Sequence, residues 1–369
     1  MQHTISYVKY KNNHSPGTLM KVLVTGAAGF IGSHVVRQLL ARGYQVRAMH
    51  LPSDSLLNLQ GQNAELCAAD ICDRDSLRRA MTGCDAVIHL AAIYALWLPD
   101  PELMYRVNVE GSRNVFQLAA ELKIKRIVFT SSIARFGGQG PGISGTEQSP
   151  FALAASKDPY PISKAEAHEI AVAAAAAGQD IVICAPTGPI GPGDIGPTPT
   201  GKLILTAATL PVIAAPDTIT NFGDVRDIAL GHVLALEKGV SGESYLLGSE
   251  NLSALQLTRM AMDILEIEKP VFAVPFSLAA IAGHGAEWIS EHVLRKPPLV
   301  TPGAIRIARL GLAADCSKAV KELGLPQTPI KTAMTDALIW FAENNYIRNA
   351  RLKQRIAQLN KQRLEEQAA

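Results

Sequence analysis

The stretch Lys21-Val22-Leu23-Val24-Thr25-Gly26-Ala27-Ala28-Gly29-Phe30-Ile31-Gly32 decides the fold. An apolar strand runs into glycines at i, i+3 and i+6, and Ser33-His34-Val35-Val36-Arg37-Gln38-Leu39-Leu40 follows with helical periodicity. A strand, a glycine turn and a helix start together make a pyrophosphate site. Glycine allows the tight turn and brings backbone amides close to phosphate oxygens, and the helix dipole favours their charge. Gly26, Gly29 and Gly32, with the amides of Phe30 and Ile31, are the candidate dinucleotide contacts.

Working outward, Val22-Val24, Gln45-Met49, Ala64-Ala68, Ala86-Leu90, Arg126-Thr130 and Asp180-Cys184 read as strands. Helical patterns fill 32–42, 74–82, 102–122 and 161–177. This alternation predicts an α/β fold, a Rossmann doubly wound parallel sheet covered on both faces. Residues 20–200 form the nucleotide domain, with one strand and helix returning from 220–250. Residues 201–341 read as a smaller, mostly helical substrate cap, with helices at 253–265, 275–294 and 301–308. The loops 137–159 and 185–202, rich in Gly, Pro and Thr, read as ligand-facing rims. Residues 1–19 read as a disordered leader and 342–369 as a charged, exposed terminal helix, either solvated or an oligomer contact.

The chain has 369 residues, 48% hydrophobic and 18% charged, which fits a globular core. A net charge of +2 gives no reason to expect a nucleic-acid partner. The five cysteines, Cys67, Cys72, Cys84, Cys184 and Cys316, are scattered without ligand spacing, and the nine histidines form no ligand cluster. No metal is expected, and reduced thiols point to a cytoplasmic protein. The apolar segment 271–294 is broken by Pro275, His284, Glu287 and Glu291, so it suits peripheral membrane contact rather than a span.

Tyr160-Pro161-Ile162-Ser163-Lys164 opens an Ala-rich helix. Residues i and i+4 share a helix face, so Lys164 stands beside Tyr160 and favours its phenolate, drawing the pKa down from about 10. Arg126-Ile127-Val128-Phe129-Thr130-Ser131-Ser132 is a strand ending in hydroxyls, where open α/β sheets place ligands. Ser132 is the candidate for holding the substrate oxygen, with Ser131 as its alternate. Ser132, Tyr160 and Lys164 are therefore the candidate catalytic residues.

The order glycine turn, strand-end Ser, then Tyr-x-x-x-Lys resembles the extended short-chain dehydrogenase/reductase family, from Lys21 to about Phe341. Asp70 and Ile71 resemble its adenine-contacting acid segment. Leu90, Ala91 and Ala92 resemble the strand end beside the cofactor, and Asn108 its structural Asn. Pro186 and Thr187 resemble the segment near the nicotinamide, and Asp315-Cys316-Ser317-Lys318 the closing motif. Within the family the chain is most similar to dihydroflavonol-reductase-like proteins, and more narrowly to the hopanoid-associated sugar epimerase group. Leu96-Trp97-Leu98-Pro99-Asp100-Pro101-Glu102 and Gly191 to Gly201 carry that narrower likeness. The resemblance implies Tyr-assisted hydride transfer at a nicotinamide, a ribose contact from Tyr160 and Lys164, and a homodimer.

The strand after the glycine helix ends in His50-Leu51, with neither the acid that selects NAD nor the Arg that selects NADP. Arg47, His50 and Ser53 could serve a 2′-phosphate, while Asp54 lies beyond reach; the absent acid leans the reading to NADP over NAD. Tyr94, Leu96, Trp97, Phe136 and Ile190 could line a greasy pocket, which suits a hydrophobic ketone, aldehyde or alcohol, sterol- or terpenoid-like in one version. A nucleotide-sugar epimerase or dehydratase is the alternative. It would need a cationic clamp, for which only Arg226, Arg306 and Arg309 stand out, and Ala185 stands where many such enzymes have Arg. A non-catalytic dinucleotide-binding sensor is a third reading.

Overall fold

Val22 and Val24 point to one face of a sheet and Leu23 to the other, and all three are fully buried. Period-two alternation with both faces apolar is what a parallel strand covered on both sides requires. The computed structural model describes residues 20–95, 98, 100–156, 158–289 and 302–368.

The chain runs β1 (Lys21–Thr25), α1 (Phe30–Ala41), β2 (Gln45–His50), β3 (Glu65–Ala68), α2 (Arg74–Met81), β4 (Ala86–His89), α3 (Pro101–Tyr105), a π-helical segment (Arg106–Gly111), α4 (Ser112–Glu121), β5 (Arg126–Thr130), α5 (Pro159–Ala176) and β6 (Ile181–Pro186). Next come β7 (Gly188–Ile190), α6 (Pro199–Thr209), β8 (Ile213–Ala215), β9 (Ile219–Asp224), α7 (Val225–Lys238), β10 (Ser244–Leu247), β11 (Glu250–Ser253), α8 (Ala254–Leu265), β12 (Val271–Ala273), α9 (Phe276–Ile289), α10 (Pro302–Leu310), α11 (Ile330–Glu343) and α12 (Ala350–Ala368).

Seven parallel strands form the main sheet in the order β3-β2-β1-β4-β5-β6-β10. Strand order reverses between β1 and β4, and the crevice beyond their carboxyl ends is where such a sheet takes a ligand. Helices α1 and α7 cover one face, and α2, α4 and α5 the other. The chain re-enters the sheet late, through β10 at its edge and α7 against α1. A second core, including Ile204, Leu257, Leu338 and Phe341, joins α6, α8 and α11 beside the three-stranded sheet β11-β9-β7.

The helical stretch expected over 102–122 runs without a gap from Pro101 to Glu121 and carries the π-helical segment at its centre, which turns Asn108 and Ser112 into the sheet's polar interior, a common reason for such bulges. One expectation is corrected. The terminal helix is not a solvated tail. Leu352 and Ile356 of α12 are buried in the cap core, and Arg355 and Arg363 pair with Glu266 and Asp336. Its narrow apolar stripe lies between cations, so charge content alone hid the buried face. The leader and part of 275–294 fall outside the described residues. Among described residues no helix is long and apolar enough to cross a membrane.

Candidate active site

The glycine turn is built as a cradle. Gly26 adopts φ +66°, and a Cβ there would stand 2.9 Å from the Ala91 nitrogen. Gly29 N–H donates to the Gly26 carbonyl at 3.1 Å, and a Cβ on Gly32 would lie 2.2 Å from that same oxygen. Helix α1 starts at Phe30 after the N-cap residue Gly29, with no side-chain cap and no acid in its first turn. Its opening amides, at Phe30 and Ile31, therefore have neither an internal acceptor nor a competing carboxylate, which fits a dinucleotide pyrophosphate.

Below the cradle lies a polar network of which sequence reasoning singled out Asn108 alone. Thr25 Oγ1 accepts from the amides of Leu90 and Ala91, both at 3.1 Å, so its own hydrogen goes to His89 Nδ1 at 2.8 Å. His89 Nε2–H then donates to Ser112 Oγ at 3.1 Å, and Ser112 donates to the Asn108 carbonyl at 2.6 Å. Burial pushes His89 down to about 3, so the ring is neutral. The Asn108 amide clamps both backbone groups of Ile93 and donates to Ser163 Oγ, which donates to the Tyr160 carbonyl at 3.0 Å. The loop after β4 is thus fastened to the helix that carries Tyr160.

Helix α5 begins where Asp158 accepts the Tyr160 amide and Pro159 and Pro161 pre-set the first turn. Its inner face then meets the end of β5 in three rungs. Tyr160 Oη donates to Ser132 Oγ at 3.3 Å, Lys164 Nζ donates to the Thr130 carbonyl at 2.7 Å, and His168 Nδ1 bonds Ser131 Oγ at 3.0 Å. The third rung, at i+8 from Tyr160, was also missed, although helical spacing predicts its position. It commits Ser131 to His168 and leaves Ser132 facing the phenol. The remaining hydroxyl, Thr130 Oγ1, donates to His232 Nε2 at 3.1 Å, because His232 Nδ1 is occupied donating to the Ile228 carbonyl.

Burial dominates the electrostatics. It pushes Tyr160 up to about 12, against the opposing effect of its hydrogen bond with Ser132, and Lys164 down to about 7. The expectation that Lys164 draws the phenol pKa down is therefore corrected for this arrangement: burial raises it and the contact with Ser132 alone opposes, so Tyr160 keeps its proton near neutral pH. Tyr94, half exposed, packs its ring 4.8 Å from that of Tyr160.

Leu90 and Ala91 are partly exposed and Ala92 exposed beyond β4. Asp70 Oδ1 accepts the Cys72 amide at 2.8 Å, and Ile71 is buried. Pro186 ends β6, and Thr187 Oγ1 is buried with no hydrogen-bond partner. Phe136 is seated in a small core edge-on to His168 at 5.2 Å, and Ile190 in the cap core. Leu96 and Trp97 lie outside the described residues.

At the tip of β2, His50 Nδ1 donates to the Leu51 carbonyl at 2.9 Å. Asp54, expected beyond reach, folds back so that its carboxylate accepts the Leu51 amide at 2.8 Å. Arg47 bonds Glu65 and the carbonyls of Ala80 and Thr82, so it is committed to the end of α2 and is no 2′-phosphate ligand. Arg226 is likewise committed, to Asp224 at 2.9 Å and Asp336 at 2.7 Å. Among described residues no group of His, Cys, Asp and Glu could hold a metal.

The buried histidines make the fold acid-sensitive. His34, His89 and His168 are pushed down to about 3 and His232 to about 4, from 6.5, mainly by burial. Their folded pKa values lie below the unfolded ones, so their contribution is complete above pH 6.5 and is lost as pH falls. Asp194, held up at about 6 by burial, acts in the opposite sense. Buried carboxyls offset part of the effect, and the four histidines leave the net sign as a loss of stability as pH falls below 6.5. Urea midpoints measured from pH 6.5 down to 4 should fall steeply, and flat midpoints would contradict neutral histidines.

Residues 22–248 match the NAD dependent epimerase/dehydratase family. The chain is 40% identical over 332 residues to a putative dihydroflavonol 4-reductase of Synechocystis, covering 88% of this chain and 95% of that protein. It is 31% identical to sterol demethylase protein B of Methylococcus capsulatus, covering 89% of this chain and all of that protein. The crystal structure of gox2253 superposes with a TM-score of 0.78 at 36% identity, covering 88% of this chain and 98% of that one. The glycine cradle, the Ser132–Tyr160 pair and these likenesses agree: the chain belongs to the NAD dependent epimerase/dehydratase family of extended short-chain dehydrogenases/reductases and is an NAD(P)-dependent oxidoreductase.

Proposed function

We propose that this oxidoreductase interconverts a ketone or aldehyde and an alcohol on a hydrophobic, sterol- or terpenoid-like substrate. The observation that carries it is the Tyr160–Ser132 hydroxyl pair, 3.3 Å apart at the carboxyl end of β5. Gly26, Gly29, Gly32, Leu90 to Ala92, Pro186 and Thr187 would hold the dinucleotide, with Asp70 and Ile71 on the adenine side and His50 and Ser53 on the ribose side. Once bound, NAD(P)H supplies a hydride to the carbonyl carbon. Ser132 orients the carbonyl oxygen, and Tyr160 delivers its phenolic proton as that oxygen becomes alkoxide, leaving an alcohol and a phenolate. Lys164, whose Nζ donates to the Thr130 carbonyl at the end of β5, would hold the ribose hydroxyls.

Two further observations favour an apolar substrate over a nucleotide sugar. A diphosphate brought into the cap needs paired cations, yet of the three candidate arginines Arg226 is spent on Asp224 and Asp336, and Ala185 lies fully buried in β6. The relative of Methylococcus capsulatus is named for a sterol. Calorimetry on the cofactor-loaded protein should show binding of a cyclodextrin-solubilised 3-oxo sterol and none of UDP-glucose; the reverse result would overturn the substrate class.

A further inference from the structure

Between β7 and α6 the backbone of residues 191–196 is fastened, carbonyl by carbonyl, to three distant parts of the chain. The Pro192 carbonyl meets His34 Nε2 of α1 at 2.8 Å. The Gly193 carbonyl accepts from Asn58 Nδ2, in the connection after β2, at 2.8 Å. The Ile195 carbonyl accepts from Tyr346 Oη, just past α11. Two of the three anchors are themselves held. Arg37 can only donate, so His34 Nδ1 accepts from it at 3.2 Å and Nε2 carries the hydrogen given to Pro192. Gln62 Nε2 donates to the Asn58 carbonyl at 2.7 Å. The segment's far end is closed by buried Asp194, which accepts from the Thr198 amide and hydroxyl. At Gly193, with φ +99°, a Cβ would crowd Asn58 Oδ1 at 3.3 Å, so the close approach needs glycine.

His34 lies about a turn and a half past Gly29 on the helix that follows the glycine cradle, and Asn58 lies in a short helical turn, Leu57–Leu59, of the connection that leaves the tip of β2. These are the two flanks that an open α/β sheet offers to the pyrophosphate and to the adenine ribose. We propose that residues 191–196 form a strap across the dinucleotide groove, that His34 and Asn58 are its clasp, and that opening the clasp sets how fast the dinucleotide leaves. The proposal rests on the dinucleotide reading of the glycine turn. His34 and Asn58 act here as positioning residues for cofactor residence, with no part in the proton transfer.

The test uses full-length protein, with NADH and NADPH as probes. In His34→Ala and in Asn58→Ala, the dissociation rate of the tighter-bound probe, followed by stopped-flow fluorescence, should rise about tenfold, the effect of one lost buried hydrogen bond. Association should change less than about threefold, since the encounter surface is intact. His34→Gln, whose amide can still donate to the Pro192 carbonyl, should restore slow release. Hydrogen exchange on the protein without added dinucleotide should quicken at 193–198 in both alanine variants and stay unchanged in β1, β4 and β5, which separates clasp loss from unfolding. Faster exchange with unchanged release would place the segment away from the groove and overturn the proposal. So would unchanged exchange in both variants. If wild-type protein binds neither probe, the dinucleotide reading itself fails, and the strap loses its ligand with it.

Discussion

Tyr160→Phe should lower turnover by about 10²- to 10⁴-fold while leaving folding and dinucleotide affinity within a few fold of wild type. The substitution keeps the ring that packs against Tyr94 and removes only the hydroxyl that donates to Ser132. Because burial holds the phenol at about 12, Tyr160 carries its proton across the neutral range and can give it to a carbonyl oxygen. The Phe variant has no proton to give, so the barrier rises without loss of ground-state contacts. Ser132→Ala should cost less, about tenfold, since it removes orientation but not the acid. Steady-state kcat and a binding titration of the reduced cofactor separate the two effects; a Phe variant with wild-type kcat would remove Tyr160 from the mechanism.

Gly32→Ala should abolish dinucleotide binding and destabilise the fold, whereas Gly29→Ala should weaken binding and leave the fold nearly intact. A Cβ on Gly32 would lie 2.2 Å from the Gly26 oxygen and 3.0 Å from its carbonyl carbon, and both are backbone atoms of the turn. Relief requires helix α1 to move away from β1, where Val35, Val36 and Leu39 sit in the main core. A loss of about 2 to 4 kcal/mol is the expected scale for forced repacking of this kind. Gly29 is different. It is exposed, its φ is −70°, and an added Cβ would meet nothing nearer than the Gly26 oxygen at 3.2 Å. Its methyl group would instead occupy the space through which a pyrophosphate approaches the amides. Thermal midpoints and cofactor titrations on both variants should show that split.

What could be read from the sequence was local. The glycine turn and the Tyr160–Lys164 spacing each lie within one helix start, and strand-end hydroxyls follow from period two. His168 was legible by the same rule, two turns past Tyr160, yet a histidine on an Ala-rich helix carries no signal until its partner Ser131 is known. Contacts between distant segments were not legible. Arg47 looked free for a phosphate because Glu65, Ala80 and Thr82 claim it only once β2, β3 and α2 have packed. Asp54 turned back on Leu51 through a tight turn that composition does not specify. The π-helical segment at 106–111 was invisible because one added residue per turn barely disturbs an apolar pattern.

The central claim is hydride transfer to a carbonyl carbon with Tyr160 as the proton donor. Its most direct test is product analysis by mass spectrometry and NMR after reaction of a 3-oxo sterol with reduced cofactor deuterated at nicotinamide C4. Wild-type protein should place one deuterium on the new carbinol carbon, and Tyr160→Phe should give almost no alcohol in the same time. Alcohol formed without deuterium at that carbon, or formed equally well by the Phe variant, would contradict the account.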